Sequence, residues 1–300
     1  MSTKNAELKP SEEQFPIREL SARTQVNTVT IRAWERRYGL LKPKRTAKGH
    51  RLYTDDDVRR VESILTLVAR GVPLSKVKSL LDQGQSAREV EANVVDNSWA
   101  EPVNELIKYA RQFSSTRIEA LLSDMLIQYP PNLCLENLLK PTFEALQGDS
   151  DHLASWTFTE SEILRYVLLR LGAKKSPKGT QAITLARGDK APLWRMAIIA
   201  LELADADFRV QIISQSLQEK TWLAMARVKT DTIHVFYQDG LWKDDRAVDI
   251  AIALDNDKKL IVCGTAPIVS DLKNPQQVFP DLEQYTCFQL GQEKQTPLSI

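Results

Sequence analysis

The stretch TVTIRAWERRYGLLKPKRTAKGHRLYTDDDV, Thr28 to Val58, changes backbone character twice. Asn27 and Thr28 are good helix N-caps, because their short side-chain oxygens accept from the first unpaired backbone N–H groups. Val29, Ala33, Trp34, Arg37 and Tyr38 then recur at helical spacing until Gly39 stops the helix. Val29, Ala33 and Trp34 are read as its inward side. From Leu40 to Tyr53 helix is excluded: Pro43 lacks an amide N–H, Gly49 marks a tight turn, and Arg51-Leu52-Tyr53 reads as a short returning strand. Thr54 with Asp55, Asp56 and Asp57 opens the next helix, where the dipole favours acids, and Val58, Val61, Leu65 and Val68 form its apolar stripe.

Upstream, PIRELSART supplies a short helix with Ile17, Leu20 and Ala22 inward; downstream, Gly71 and Pro73 precede another at Leu74 to Leu81. Two helices joined by a few residues make a helix-turn-helix. The 300-residue chain has a formal net charge of only +1, yet Pro16 to Leu80 holds fifteen Lys and Arg against six acids. A basic head on a mildly acidic body points to a nucleic-acid partner for the head. Thr28, Arg32 and Arg36 share one helix side, able to enter a major groove and fork onto guanine or phosphate. Lys42, Lys44, Arg45, Lys48, His50 and Arg51 on the β loop would straddle the neighbouring backbone and supply salt-dependent affinity.

The sequence predicts a multidomain α plus α/β protein: residues 1–14 a loose N-terminus, 15–82 the DNA-binding head, 83–98 a linker, 99–172 a four-helix bundle, 173–290 an α/β domain and 291–300 a tail. In the bundle, apolar residues recur in four segments, around Leu106, Leu122, Leu138 and Val167. Beyond Gly172, strands at Ala182–Ala186, Phe208–Ile213, Thr232–Phe236 and Leu260–Gly264 alternate with helices. Tyr285–Leu290 is expected as the fifth strand of a doubly wound, Rossmann-like parallel sheet. Cys134, Cys263 and Cys287 have no zinc or disulfide spacing, and the polar amino terminus and interrupted apolar runs imply a cytoplasmic protein without a membrane partner.

Thr28 to Val58 closely resembles the winged-helix head of MerR-family transcription regulators, and its IRAWERRYGLL form is similar to the MlrA/CarH/LitR branch. The resemblance covers about residues 15 to 82. It implies that Asn27–Tyr38 is the recognition helix and Leu41–Tyr53 the wing. Its DNA-binding residues would be Thr28, Thr30, Arg32, Arg36, Arg37, Tyr38, Lys44, Arg45, Lys48, His50, Arg51 and Tyr53, with Arg32 near bases and Tyr38, Arg45 and Arg51 near phosphates. It also implies a homodimer on inverted repeats in double-stranded promoter DNA, meeting RNA polymerase indirectly through the promoter.

For the body, the resemblance implies a cobalamin-binding-like domain whose motif is an acid, a His two places on and a Gly three beyond. Here the motif is degenerate: Asp189 remains, but Ala191 stands at the His position and Trp194 at the Gly position. A methyl group cannot ligate cobalt, and an indole fills the space a nucleotide tail needs. Around Trp156, SWTFTESEILRY has Glu160 and Glu162 but lacks the bundle's expected His. The expectation is a cobalamin-independent regulator of the MlrA type, an activator of biofilm or surface-matrix genes, with no cofactor. Its body would serve dimerisation or hold a regulatory protein; the alternative is gating by another small molecule.

Other chemistry is weak. His234 falls inside a strand and reads as structural, His152 beside Asp149 and Asp151 as a loop residue, and Asp255-Asn256-Asp257, with Asp249 near, as a turn rather than a metal site. GDKAPLW lacks the glycines of a dinucleotide loop. Trp156, Trp194, Trp222 and Trp242 read as packing more than pocket lining. No catalytic triad is visible, so no enzymatic activity is expected.

Overall fold

The computed structural model describes residues 14–83, 98–148, 152–174, 179–242 and 244–291. The chain divides into two compact units, residues 1–101 and 102–300. Most of the linker expected at 83–98, and nearly all of the two termini, lie outside the described residues.

In the first unit, Phe15–Pro16 (β1) runs into Ile17–Thr24 (α1), and Thr28–Ala33 (α2) follows after a short turn. Asn27 caps α2, its side chain accepting from the Val29 N–H at 2.8 Å. Trp34–Tyr38 continues α2 as a π-helical turn and ends at Gly39, φ +59°, where a side chain would strain the backbone. Lys44–Arg45 (β2) and Arg51–Tyr53 (β3) form the basic hairpin, and β1 pairs with the other side of β3 in an antiparallel sheet of order β1-β3-β2. A two-residue strand has no period to read, so β1 was invisible in the sequence. Asp55–Ala69 (α3) begins with a Thr54/Asp57 capping box, and Leu74–Asp82 (α4) closes the unit's helical set. On α3, Ile64 and Leu67 are the buried residues between Val61 and Val68, rather than Leu65. They join Leu20, Ile31, Trp34, Leu40, Leu41 and Tyr53 in the core. Trp99 belongs here too, its indole N–H donating to the Val68 carbonyl at 3.1 Å.

The second unit starts within helix Ala100–Arg111 (α5), which Ser115–Gln128 (α6) follows. Pro131–Cys134 (α7) is joined by a π-turn to Lys140–Gln147 (α8), and His152–Ala173 (α9) completes the helical region. Then come Ala182–Arg187 (β4), Leu193–Asp205 (α10), Arg209–Ser216 (β5), Glu219–Val228 (α11), Thr232–Tyr237 (β6), Asp244–Asn256 (α12), Leu260–Cys263 (β7) and Thr265–Val269 (α13). Val278–Phe279 (β8) and Leu282–Gln289 (α14) end the unit. The five strands are parallel in the order β5-β4-β6-β7-β8.

The chain reverses direction across β4, and right-handed crossovers then set α10 on one face and α11 and α12 on the other. On the second face Trp222, Trp242, Phe236, Ile250 and Val262 form a packed core. Tyr285–Leu290 is not the fifth strand: Asp281 caps α14, accepting from the Gln284 N–H at 2.6 Å, and Leu282, Tyr285 and Thr286 are buried at helical spacing. Two-residue β8 takes the strand's place. His234 is buried, with Nε2 3.0 Å from the Lys229 carbonyl, and Asp257 closes its turn by accepting from the Lys259 N–H. His152 opens α9; its side chain, like Asp149 and Asp151, lies outside the described residues. Among the described residues, no helix is long and apolar enough to cross a membrane.

Candidate nucleic-acid interface

Helix α2 and its π-turn present Val29, Arg32, Arg36 and Arg37 to the surface, with Thr28 and Tyr38 half-buried at the two ends. A π-turn bonds i to i+5 and so turns less per residue than an α-helix. That lag swings Arg36 and Arg37 back toward the side that carries Val29 and Arg32. On the hairpin, Lys44, Arg45, Lys48 and His50 are exposed, and the loop is closed by Thr46 N–H donating to the His50 carbonyl at 2.9 Å.

Glu35 joins the two parts. Its Oε1 accepts from Arg45 Nη2 at 3.2 Å and its Oε2 from Arg51 Nε at 2.6 Å, while its side chain is only 15% exposed. The hydrogen bond to Glu35 raises the Arg51 pKa against the opposing effect of burial. One carboxylate therefore fixes the hairpin to the helix, and both guanidiniums keep further N–H groups for a second acceptor.

Two expected contact residues are corrected. Thr30 is 1% exposed, turned into the core beside Ile31, and cannot reach a base edge. Tyr53 is 0% exposed; burial, with the nearby Glu35 charge, pushes its phenol up to about 12. Central strand β3 has α1 and α3 packed against it, and Tyr53 points into that packing. Conversely, Val29 was read as an anchor and is 47% exposed. Neither Val29 nor Glu35 was singled out from sequence as part of this site. The available signal was the spacing of Val29 from Arg32, three residues, which puts them on one helix side.

In the second unit, the connections leaving the carboxyl ends of the paired strands β4 and β6 run to opposite faces, the position where open α/β sheets hold ligands. Here most of that edge's side chains bond to one another, although Gln238 Oε1 and Arg187 Nε are buried without a hydrogen-bond partner among the described residues. Gln238, 5% exposed, donates to Asp189 Oδ1 at 3.2 Å and packs so closely on Gly188 that a Cβ there would overlap its amide. Asp239 accepts from the Thr265 N–H at 2.9 Å and from the Tyr237 hydroxyl at 3.0 Å. Arg187 donates to the Ala191 carbonyl at 2.8 Å. Trp194 stacks on Phe143 with ring centres 4.6 Å apart and an interplanar angle of 10°, and Trp156 meets the same ring edge-on. Glu160 of α9 caps α10 by accepting from the Leu193 and Trp194 N–H groups at 2.7 and 3.1 Å.

Residues 15–84 match the model of the MerR HTH family regulatory proteins. The chain is 29% identical to the HTH-type transcriptional regulator MlrA of Salmonella typhimurium over 208 residues, 68% of this chain and 82% of that protein. It is 35% identical to the HTH-type transcriptional repressor CarH of Myxococcus xanthus over 122 residues, 39% of this chain and 41% of CarH. A mercuric resistance operon regulatory protein of Bacillus cereus matches at 37% over 68 residues, 23% of this chain and 52% of that protein. The first unit thus carries a MerR helix-turn-helix domain. The likeness to MlrA runs well beyond that domain, and the chain is similar to MerR-family transcriptional regulators of the MlrA and CarH type.

Proposed function

We propose that the protein is a cytoplasmic, sequence-specific activator that binds inverted repeats in promoter DNA as a homodimer, with α2 in the major groove and the hairpin as a wing. The carrying observation is the cationic face: Arg32, Arg36 and Arg37 exposed on the helix, Lys44, Lys48 and His50 exposed on the hairpin, and Glu35 holding the two in register. A face locked in this way meets DNA with little ordering left to do. In this reading Arg32 contacts bases, while Arg45 and Lys44 contact phosphate, and the targets are surface-matrix genes as the likeness to MlrA suggests.

The residues of the second unit do not fit cobalamin. No imidazole stands at Ala191, Gln238 occupies the crevice above Gly188, and the Trp194–Phe143 stack fills the ground between helical region and sheet. In this reading the unit is regulatory scaffold, used for self-association or protein contact. The test is binding of promoter fragments over a salt series. Arg32→Ala is expected to cost about 1–3 kcal/mol on the preferred sequence and relax preference there. Arg45→Ala is expected to weaken all sequences alike and lower the log–log salt slope by about one. Unchanged affinity in both variants would remove helix and wing from the interface.

A further inference from the structure

We infer that Val29 reads the methyl group of a thymine in the major groove; this rests on the DNA-reading function proposed above. Among the described residues of the first unit, Val29 is the one large apolar side chain that is exposed, at 47%, although its neighbours Thr30 and Ile31 are 1% and 0% exposed. A single exposed apolar residue is ordinary on a protein surface. This one stands three residues before Arg32 on the exposed side of the most cationic helix in the chain.

Its position is fixed twice over. The Asn27 side chain holds the Val29 N–H at 2.8 Å, and a β-branched side chain in a helix has essentially one rotamer. Two methyl groups so held can neither donate nor accept a hydrogen bond, and phosphate offers them nothing. The major groove has one apolar group on its base edges, the C5-methyl of thymine, and small apolar side chains are what meet it. Arg32, one turn on, can fork onto guanine O6 and N7, so the pair specifies a thymine close to a guanine in each half-site.

The experiment starts from full-length protein selecting duplexes out of a random-sequence pool. Each thymine of the enriched sequence is then replaced in turn by deoxyuridine, which removes only the methyl group. One thymine per half-site is expected to show a loss on the order of fourfold, the effect of one buried methyl, in wild type. Val29→Ala is expected to abolish that dependence, and Val29→Ile to retain it. The inference is overturned if no thymine depends on its methyl group, or if Val29→Ala shows the same dependence as wild type. A pool with no enrichment overturns the DNA reading and this inference together, whereas enrichment without methyl dependence overturns this inference alone. Equal thermal melting of the three proteins removes folding as the cause of any difference.

Discussion

On the head, Glu35 engages Arg45 and Arg51, yet Arg32, Arg36, Lys44 and Lys48 remain at the surface with their charge, and His50 is exposed beside them. At the carboxyl edge of the parallel sheet, Asp189, Gln238, Asp239, Thr265 and Tyr237 bond to one another and an aromatic stack closes the adjoining ground. Both regions are rich in polar groups; they differ in what a partner would have to displace. A ligand arriving at the head exchanges only water and counterions. A ligand arriving at the sheet edge must first displace bonds between side chains, and leaving the buried Gln238 or Tyr237 unpaired would cost about 1–3 kcal/mol each. Polar residues at a familiar ligand position are therefore poor evidence of a site until their existing partners are known.

Three changes test that contrast in the second unit, in falling order of effect. Trp194→Ala removes the stack on Phe143 and is expected to cost about 3–5 kcal/mol in urea unfolding; a cost below ~1 kcal/mol would mean that the ground is not filled as described. Gly188→Ala drives a Cβ into the Gln238 amide and is expected to cost about 1–3 kcal/mol, most of it recovered in Gly188→Ala with Gln238→Ala. Additive losses in the double variant would show that the two residues do not compete for one space.

The third concerns pH. Burial, then the charges of Glu283 and Asp205, push the Glu202 carboxyl of α10 from about 4.5 up to about 7. The native state therefore holds this proton more tightly than the unfolded chain, so stability declines as pH rises from about 4.5 to about 7. Burial also raises Glu283, opposed by Arg195, which adds to the same trend. Glu202→Gln is expected to flatten the decline by about 1–2 kcal/mol without abolishing it. A variant with the wild-type pH profile would place the proton elsewhere.

Much of the fold was legible because punctuation is local. Asn27, Gly39, Pro43 and Thr54 mark the head's turns by their own backbone chemistry, and the alternation of strands and helices after Gly172 gave the parallel sheet. Errors arose where a non-local fact decides. Val29 shares helical spacing with the buried Ala33, so spacing alone placed it inward, and Thr30, named from the resemblance, is turned into the core beside Ile31. Three-residue β3 is too short to show which side of it is buried, and Tyr53 went inward because helices cover that side. Tyr285 to Leu290 is a short run rich in apolar and aromatic residues, which suits a strand as well as a helix; the deciding residue, Asp281, lies before it. Gln238 and Gly188 are fifty positions apart, and only the pairing of β4 with β6 brings them together.

That last pair also constrains how such a sequence can change over generations. With Gln238 in place, any residue larger than glycine at 188 meets its amide, so a change at 188 requires the Gln238 side chain to turn aside or to shrink. Shrinking Gln238 first leaves Asp189 without its donor and opens a void. Either single step disturbs the Gln238–Asp189 hydrogen bond, and changing both relieves the overlap at 188. The closed crevice thus couples two distant positions, so that what is tolerated at one depends on the residue at the other.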